Sequence, residues 1–321
     1  MRLRYLAVTL FAAGALVCAY FVGRSQGPET GSERAAVTAQ DAAVEARTPS
    51  ERARFIAAPL PARGLPLRQV FSNLQARADA GDLAAATRLY RDLRLCGSLD
   101  GLDWSFARLA DELLDQKVDA TDKQTMENYK VQLDGIEARK QVMRKFHSLC
   151  DGVDRRMLDS QLSSMRKAAE LGDDEARACY LMRGPNYDSR GLMRHPEWIE
   201  TYRKSARSFL DAGLATGDWK VVDLLRRAYQ PGSDNPLAGV LGSDPLLYYR
   251  YLKLYRLGAE ATRVAQIDQQ LAAAAAQIAP EQRADADLWA QTSFQRDFDS
   301  GNSTATTPDG WNPCSLSFDP L

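Results

Sequence analysis

Histidine is almost missing from this 321-residue chain, which has only His147 and His195. No pair of imidazoles stands at metal-ligand spacing, and His147, three residues before Cys150, has no second ligand pair to complete a site. No metal and no cofactor is therefore expected. Neither sign of charge dominates, with 41 Lys and Arg against 42 Asp and Glu, which leaves no electrostatic footprint for nucleic acid. Convincing strand-like alternation is also lacking, so the chain reads as all-α. Long apolar runs are absent with a single exception.

That exception extends from Tyr5 to Val22, behind Arg2 and Arg4 and ahead of Gly23-Arg24-Ser25-Gln26-Gly27. It is just long enough to cross a bilayer core as a helix. Residues 1–23 read as a signal anchor or signal peptide; the best cleavage site, Val17-Cys18-Ala19, is a poor one because the apolar run continues through Phe21 and Val22. Cys18 follows Ala15-Leu16-Val17, an unsuitable context for lipidation. The positive-inside rule places the bulk of the chain in the periplasm of a bacterium, single-pass if residues 5–22 are retained in the inner membrane and soluble if they are cleaved. Residues 24–64, rich in Ala, Gly, Pro, Ser, Thr and Arg, read as a flexible linker. A helical domain follows over 65–298, then an irregular tail over 299–321.

Outside the membrane segment four cysteines remain: Cys96, Cys150, Cys179 and Cys314. An even number in an oxidising compartment suggests two disulfides, with three possible connectivities. Pairing Cys96 with Cys150 and Cys179 with Cys314 is favoured, since Cys96 and Cys150 each end a predicted helix. The alternative is a buried, free Cys179.

Apolar residues at three-four spacing predict helices from about Leu67 to Ala78, Leu83 to Leu93, Leu102 to Gln116 and Thr121 to Leu149. In the last of these, Thr121 and Gln124 suggest a capping box, and Met126, Tyr129, Leu133, Ile136 and Met143 mark an expected buried stripe. Further helices are predicted over about Arg155–Leu171, Asp174–Met182, Pro196–Leu214, Asp218–Tyr229, Pro245–Leu257, Glu260–Ile278 and Pro280–Phe298. Pro245 and Pro280 suit a first turn.

Three connections share a pattern. Ala78-Asp-Ala-Gly81-Asp82-Leu-Ala-Ala85 aligns with Ala169-Glu-Leu-Gly172-Asp173-Asp-Glu-Ala176, and more loosely with Ala212-Gly-Leu-Ala-Thr-Gly217-Asp218; Gly258 with Ala259 and Glu260 is a weaker relative. Glycine ends one helix and aspartate starts the next, and the spacing of these turns suits stacked helical hairpins. The turn Ala-x-x-Gly-Asp-x-x-Ala resembles the Sel-one-like branch of the tetratricopeptide-type repeats, in degenerate form, over about residues 66–278. The resemblance implies α/α hairpins that bind proteins. An insertion over residues 97–150 breaks the spacing, so the expected architecture is a short irregular superhelix of stacked hairpins behind an N-terminal membrane helix.

Enzymatic motifs are fragmentary. Ser164-Met-Arg-Lys167 with Ser233-Asp234-Asn235 echoes two of three elements of serine penicillin-recognising enzymes, but the Lys-Thr-Gly strand is missing. Gly23 to Gly27 spells a nucleophile elbow without the strand and helix it requires. No catalytic residue is assigned and no enzyme is expected; a helical cell-wall glycosidase or transglycosylase is the alternative among enzymes. A concave face on stacked hairpins suits protein binding, and Tyr248, Tyr249, Tyr251 and Tyr255 cover more than one face of one helix, so some rings are core and at least one is a candidate for partner contact. Trp198, Tyr202, Trp219 and Trp289 read as core. The tail carries Trp311, Cys314 and Phe318, suggesting that it folds back through Cys314. The expected function is an adaptor or scaffold for an envelope complex with a protein partner; by family analogy the alternative is an immunity-type inhibitor of a secreted toxin.

Overall fold

The computed structural model describes residues 49–298, 307 and 311–315. The chain divides into two units, 1–53 and 54–321, and of the first only residues 49–53 are described. The apolar run 5–22, Cys18 and the elbow-like Gly23–Gly27 lie outside the described residues, as does Phe318. Among the described residues no helix is long and apolar enough to cross a membrane, and no strand occurs.

The helices are α1 (Pro49–Ala57), α2 (Leu67–Asp79), α3 (Leu83–Gly97), α4 (Leu99–Leu114), α5 (Lys123–Cys150), α6 (Arg155–Asp159), α7 (Gln161–Glu170), α8 (Asp174–Arg183), α9 (Ser189–Arg194), α10 (Glu197–Ala215), α11 (Trp219–Tyr229), α12 (Pro236–Leu241), α13 (Pro245–Leu257), α14 (Ala261–Ala275) and α15 (Pro280–Ser293). A 3-10 turn, Gly184–Asp188, follows α8, and a π turn, Phe294–Phe298, extends α15. Hairpins form from α2 with α3, α7 with α8 and α10 with α11, while α13 packs on α11, α14 and α15. One continuous core runs from Ala78 and Tyr90 to Phe298.

The Gly-Asp turns explain how the hairpins are joined. At each of the three, glycine has positive φ: +96° at Gly81, +108° at Gly172 and +69° at Gly217. The following aspartate N-H closes back on a carbonyl five residues earlier, from Asp82 to Arg77, Asp173 to Ala168 and Asp218 to Gly213, each at 2.9 Å. This closure is the Schellman arrangement, which satisfies the last carbonyls of one helix. One carboxylate oxygen then caps the next helix, accepting from the N-H of Ala85 (3.1 Å), Ala176 (2.7 Å) and Lys220 (3.0 Å) respectively.

The second carboxylate oxygen does different work. In Asp82 it accepts from Arg77 of the same turn at 2.7 Å. In Asp173 it accepts from Thr87, about one turn into α3, at 2.6 Å. In Asp218 it accepts from Arg177, about one turn into α8, at 2.8 Å. Each later cap is therefore also a bond to the preceding hairpin, and the local turn sequence sets contacts between units. Gly258 departs from this pattern: its φ is −96°, and Glu260 makes no side-chain cap. The longer glutamate side chain is not the short acceptor that an N-cap needs.

Small residues set the approach of the paired helices. Ala85 and Ala176, three after their aspartates, are fully buried. At the third turn this place is taken by Val221, and the facing residue is Gly213, where a Cβ would collide with the Val221 methyl. The larger side chain on one helix is accommodated by the smallest on the other, which conserves volume.

Both disulfides are present, joining Cys96 to Cys150 and Cys179 to Cys314, with Cα separations of 5.3 and 4.9 Å. The first anchors α5 beside the end of α3. The second holds the tail to α8, where Trp311 and Cys314 pack on the core. Thr307 is buried and accepts from Tyr255 at 3.1 Å.

Several sequence expectations need correction. Residues 54–64, read as the end of a linker, are drawn onto the domain: Arg77 donates to the carbonyls of Ile56 (2.8 Å) and Pro59 (3.1 Å), and Arg88 donates to Ala62 (2.9 Å). Arginine side chains supply the partners that this stretch cannot find in itself. The cap of α5 is Asp122, accepting from Gln124 N-H at 3.1 Å, because Thr121 turns its hydroxyl to Asp119 instead. The expected helix Arg155–Leu171 is divided at Ser160, whose hydroxyl donates back to the Met157 carbonyl at 2.6 Å. The expected buried stripe of α5 is the largest departure: Met126 is 39% and Leu133 37% exposed, and the fully buried apolar residues of α5 are Phe146 and Leu149.

Candidate partner-binding face

The four tyrosines of α13 separate by position. Tyr255 is fully buried, donates to Thr307 and receives a hydrogen bond from Arg263 at 3.1 Å. Arg226 lies over its ring at 4.5 Å, a cation–π contact. Tyr249 is buried and donates to Asp287 Oδ1 at 3.0 Å, and Lys253 pairs with the same carboxylate at 3.0 Å. Burial, then the bond to Asp287, pushes the Tyr249 phenol up to about 12, so it keeps its donor proton. Tyr248 is 9% exposed. These three rings are core and do not form a contact surface: α13 packs against α11, α14 and α15, so rings on most of its circumference are enclosed.

Tyr251 is different. It is half-buried, stacks parallel on Tyr229 of α11 at 5.8 Å, and meets Trp289 of α15 edge-on at 5.4 Å. Arg250 lies over Trp289 at 5.0 Å. Trp289, expected in the core, is half-buried too, and its neighbour Leu288 is 65% exposed. Burial, then the neighbouring Tyr229, pushes the Tyr251 phenol up to about 12. The result is a rigid aromatic and arginine cluster spanning three helices, with one side open. Its side chains are already stacked, so little rotamer entropy remains to be lost on contact. Sequence reasoning found Tyr251 but not Trp289 or Leu288, because their placement on the open side depends on how α15 lies against α13.

Elsewhere a cavity of about 490 Å³ lies between the end of α3, α6, α7 and the 3-10 turn, reached also by Cys314. Its charges are largely matched: Asp159 pairs with Arg194 at 3.0 Å and Arg155 at 3.6 Å, and Asp188 caps Gly191 N-H at 2.9 Å. Tyr187 accepts from Gln161 at 3.2 Å and is pushed up to about 12 by burial.

The remaining motif residues have structural places. Cys150 is consumed in its disulfide, so it is not a ligand beside His147, which bonds Asp103 at 2.9 Å. His195 bonds Glu197 at 3.0 Å and stacks on Trp198 at 4.9 Å. Asn235 caps α12 through the Ala238 N-H and donates to Ser233. Among the described residues no group of three His, Cys, Asp or Glu side chains is arranged to hold a metal ion. Comparison with protein-family models, curated proteins and solved structures returned no match.

Proposed function

We propose that this chain is a bacterial envelope protein-binding module, tethered to the inner membrane through residues 5–22 with its bulk in the periplasm. In this reading the hairpins are a degenerate Sel-one-like set forming a short irregular superhelix, and the module acts as an adaptor or scaffold without catalysis. The repeated bonding of cap aspartates to the preceding hairpin supports the repeat reading. The observation that carries the binding reading is the half-open cluster of Tyr251, Trp289 and Arg250 with exposed Leu288 beside it. Tyrosine, tryptophan and arginine are the side chains that dominate binding energy at protein interfaces.

The test is affinity capture with the full chain from expressing cells, followed by mass spectrometry, comparing wild type with Leu288→Glu and Arg250→Ala. Leu288 is exposed, so its substitution leaves the core intact. A stoichiometric partner lost by at least about tenfold in both variants supports this face, a change of about 1.4 kcal/mol. Capture that is unchanged by both variants overturns it. A secreted hydrolase as partner assigns the immunity role, and a structural envelope component the adaptor role.

A further inference from the structure

The first 20 residues of α5 have almost no cover. From Lys123 to Val142 only Thr125, Tyr129 and Ile136 are even partly shielded, and Val131 is 66% exposed. The reason is register. Cys96–Cys150 and the bond from His147 to Asp103 fix the C-terminal end of α5 beside the start of α4. Laid antiparallel from there at about 1.5 Å per residue, α4 ends near the level of residue 136. The N-terminal turns of α5 therefore overshoot it. Isolated helical turns are marginal in water, and helices in proteins draw most of their stability from packing an apolar face. This segment has such a face in Met126, Tyr129, Leu133 and Ile136, spaced at three and four residues.

We infer that the overshooting end of α5 pairs with the same segment of a second copy of this chain, antiparallel, across a two-fold axis. The charges beside the stripe select that occupant. Lys123, Glu127, Lys130 and Asp134 alternate in sign along one side of the helix and form no ion pair within the described residues. An antiparallel copy centred between Asn128 and Tyr129 brings Lys123 level with Asp134 of the other copy and Glu127 level with Lys130. Every charge in the set meets its opposite, twice over by symmetry, as an isologous interface requires. A parallel pairing in register sets like charges level with like and lacks this match. In that register Met126, Tyr129 and Leu133 of the two copies interleave across the axis, so apolar side chains meet beside the charge pairs.

The test is sedimentation of the full chain in detergent at a series of concentrations. A dimer is expected, weakened at least tenfold by Leu133→Glu and by the pair Lys123→Glu with Lys130→Glu. Adding Glu127→Lys and Asp134→Lys to the double reversal restores it, since each copy supplies both sides of every pair. These side chains are exposed or at the rim, so folding is preserved, and circular dichroism confirms that. A benzoylphenylalanine at Tyr129, next to the two-fold axis, crosslinks two identical chains in expressing cells. A monomer throughout, a dimer indifferent to Leu133→Glu, failure of the fourfold variant to restore association, or a crosslink to a different protein overturns the inference.

Discussion

The stacked hairpins and the α4–α5 arm are built from the same kind of amphipathic helix, yet one is closed and the other open. In the stack, an aspartate that ends a turn also bonds the preceding hairpin, as Asp218 does with Arg177, both about nine-tenths buried. In the arm, the pair of Arg108 with Glu112 at 3.0 Å stays within one helix and about 60% exposed. An apolar stripe is buried only when a second layer lies over it. In the hairpins each helix is covered by its partner or by the next unit, whereas the N-terminal turns of α5 extend past the helix that lies along it.

The strongest way to break the comparison is to remove one buried charge from the stack. Arg177→Ala leaves Asp218 buried without its partner and is expected to cost about 4 kcal/mol in chemical denaturation, whereas Arg108→Ala in the arm should change stability by less than about 0.5 kcal/mol. Similar losses at both sites would remove the distinction between the two regions.

Replacing Cys179 and Cys314 by serine should cost about 3–4 kcal/mol, because that disulfide closes a loop with a sequence separation of 135 residues. Opening Cys96–Cys150, with a separation of 54, should cost somewhat less and expose the base of the arm to proteolysis first. Melting under reducing and oxidising conditions separates the two.

Glycine substitutions sharpen the comparison within the stack itself. Gly217→Ala meets both a positive φ and the carbonyl of Asp297, whereas a Cβ at Gly172 meets nothing within 4 Å. The first is expected to cost about 3 kcal/mol and the second about 1 kcal/mol, the ordinary penalty for a left-handed L-residue. Equal melting temperatures for the two variants would show that the π turn does not press on the third turn.

The last expected effect is a gain. Asp92 of α3 is 6% exposed, and burial outweighs Arg88 to push its carboxyl up to about 6. A folded value above the unfolded one means that its contribution is most favourable below pH 3.8 and is lost as pH rises through about 6. Asp92→Asn should therefore stabilise the protein by about 2 kcal/mol at pH 7.5, with the gain fading towards pH 4. A destabilised variant at pH 7.5 would show that the pair with Arg88 outweighs desolvation.

Much of the helix order was readable because capping and apolar spacing act over a few residues. Asp82, Asp173 and Asp218 cap their helices at the turns where the pattern placed a helix start. The short helices α9 and α12 were not foreseen, since six residues carry too little periodicity to register. Of the candidate binding residues only Tyr251 lies at the half-open face, and nothing local distinguishes it from Tyr249. Both are tyrosines on one helix, separated by two residues and hence on nearly opposite sides of it, and the neighbours α11 and α15 decide which is enclosed.

By itself the sequence determined the local geometry: all-α elements, the Gly-Asp turns and their caps, each satisfied by atoms within a few residues. Tertiary structure alone decided what covers what. Whether an apolar stripe becomes core, as in α13, or remains a face, as in α5, depends on the length and register of a neighbouring helix, and burial is a property of pairs of surfaces rather than of either sequence segment.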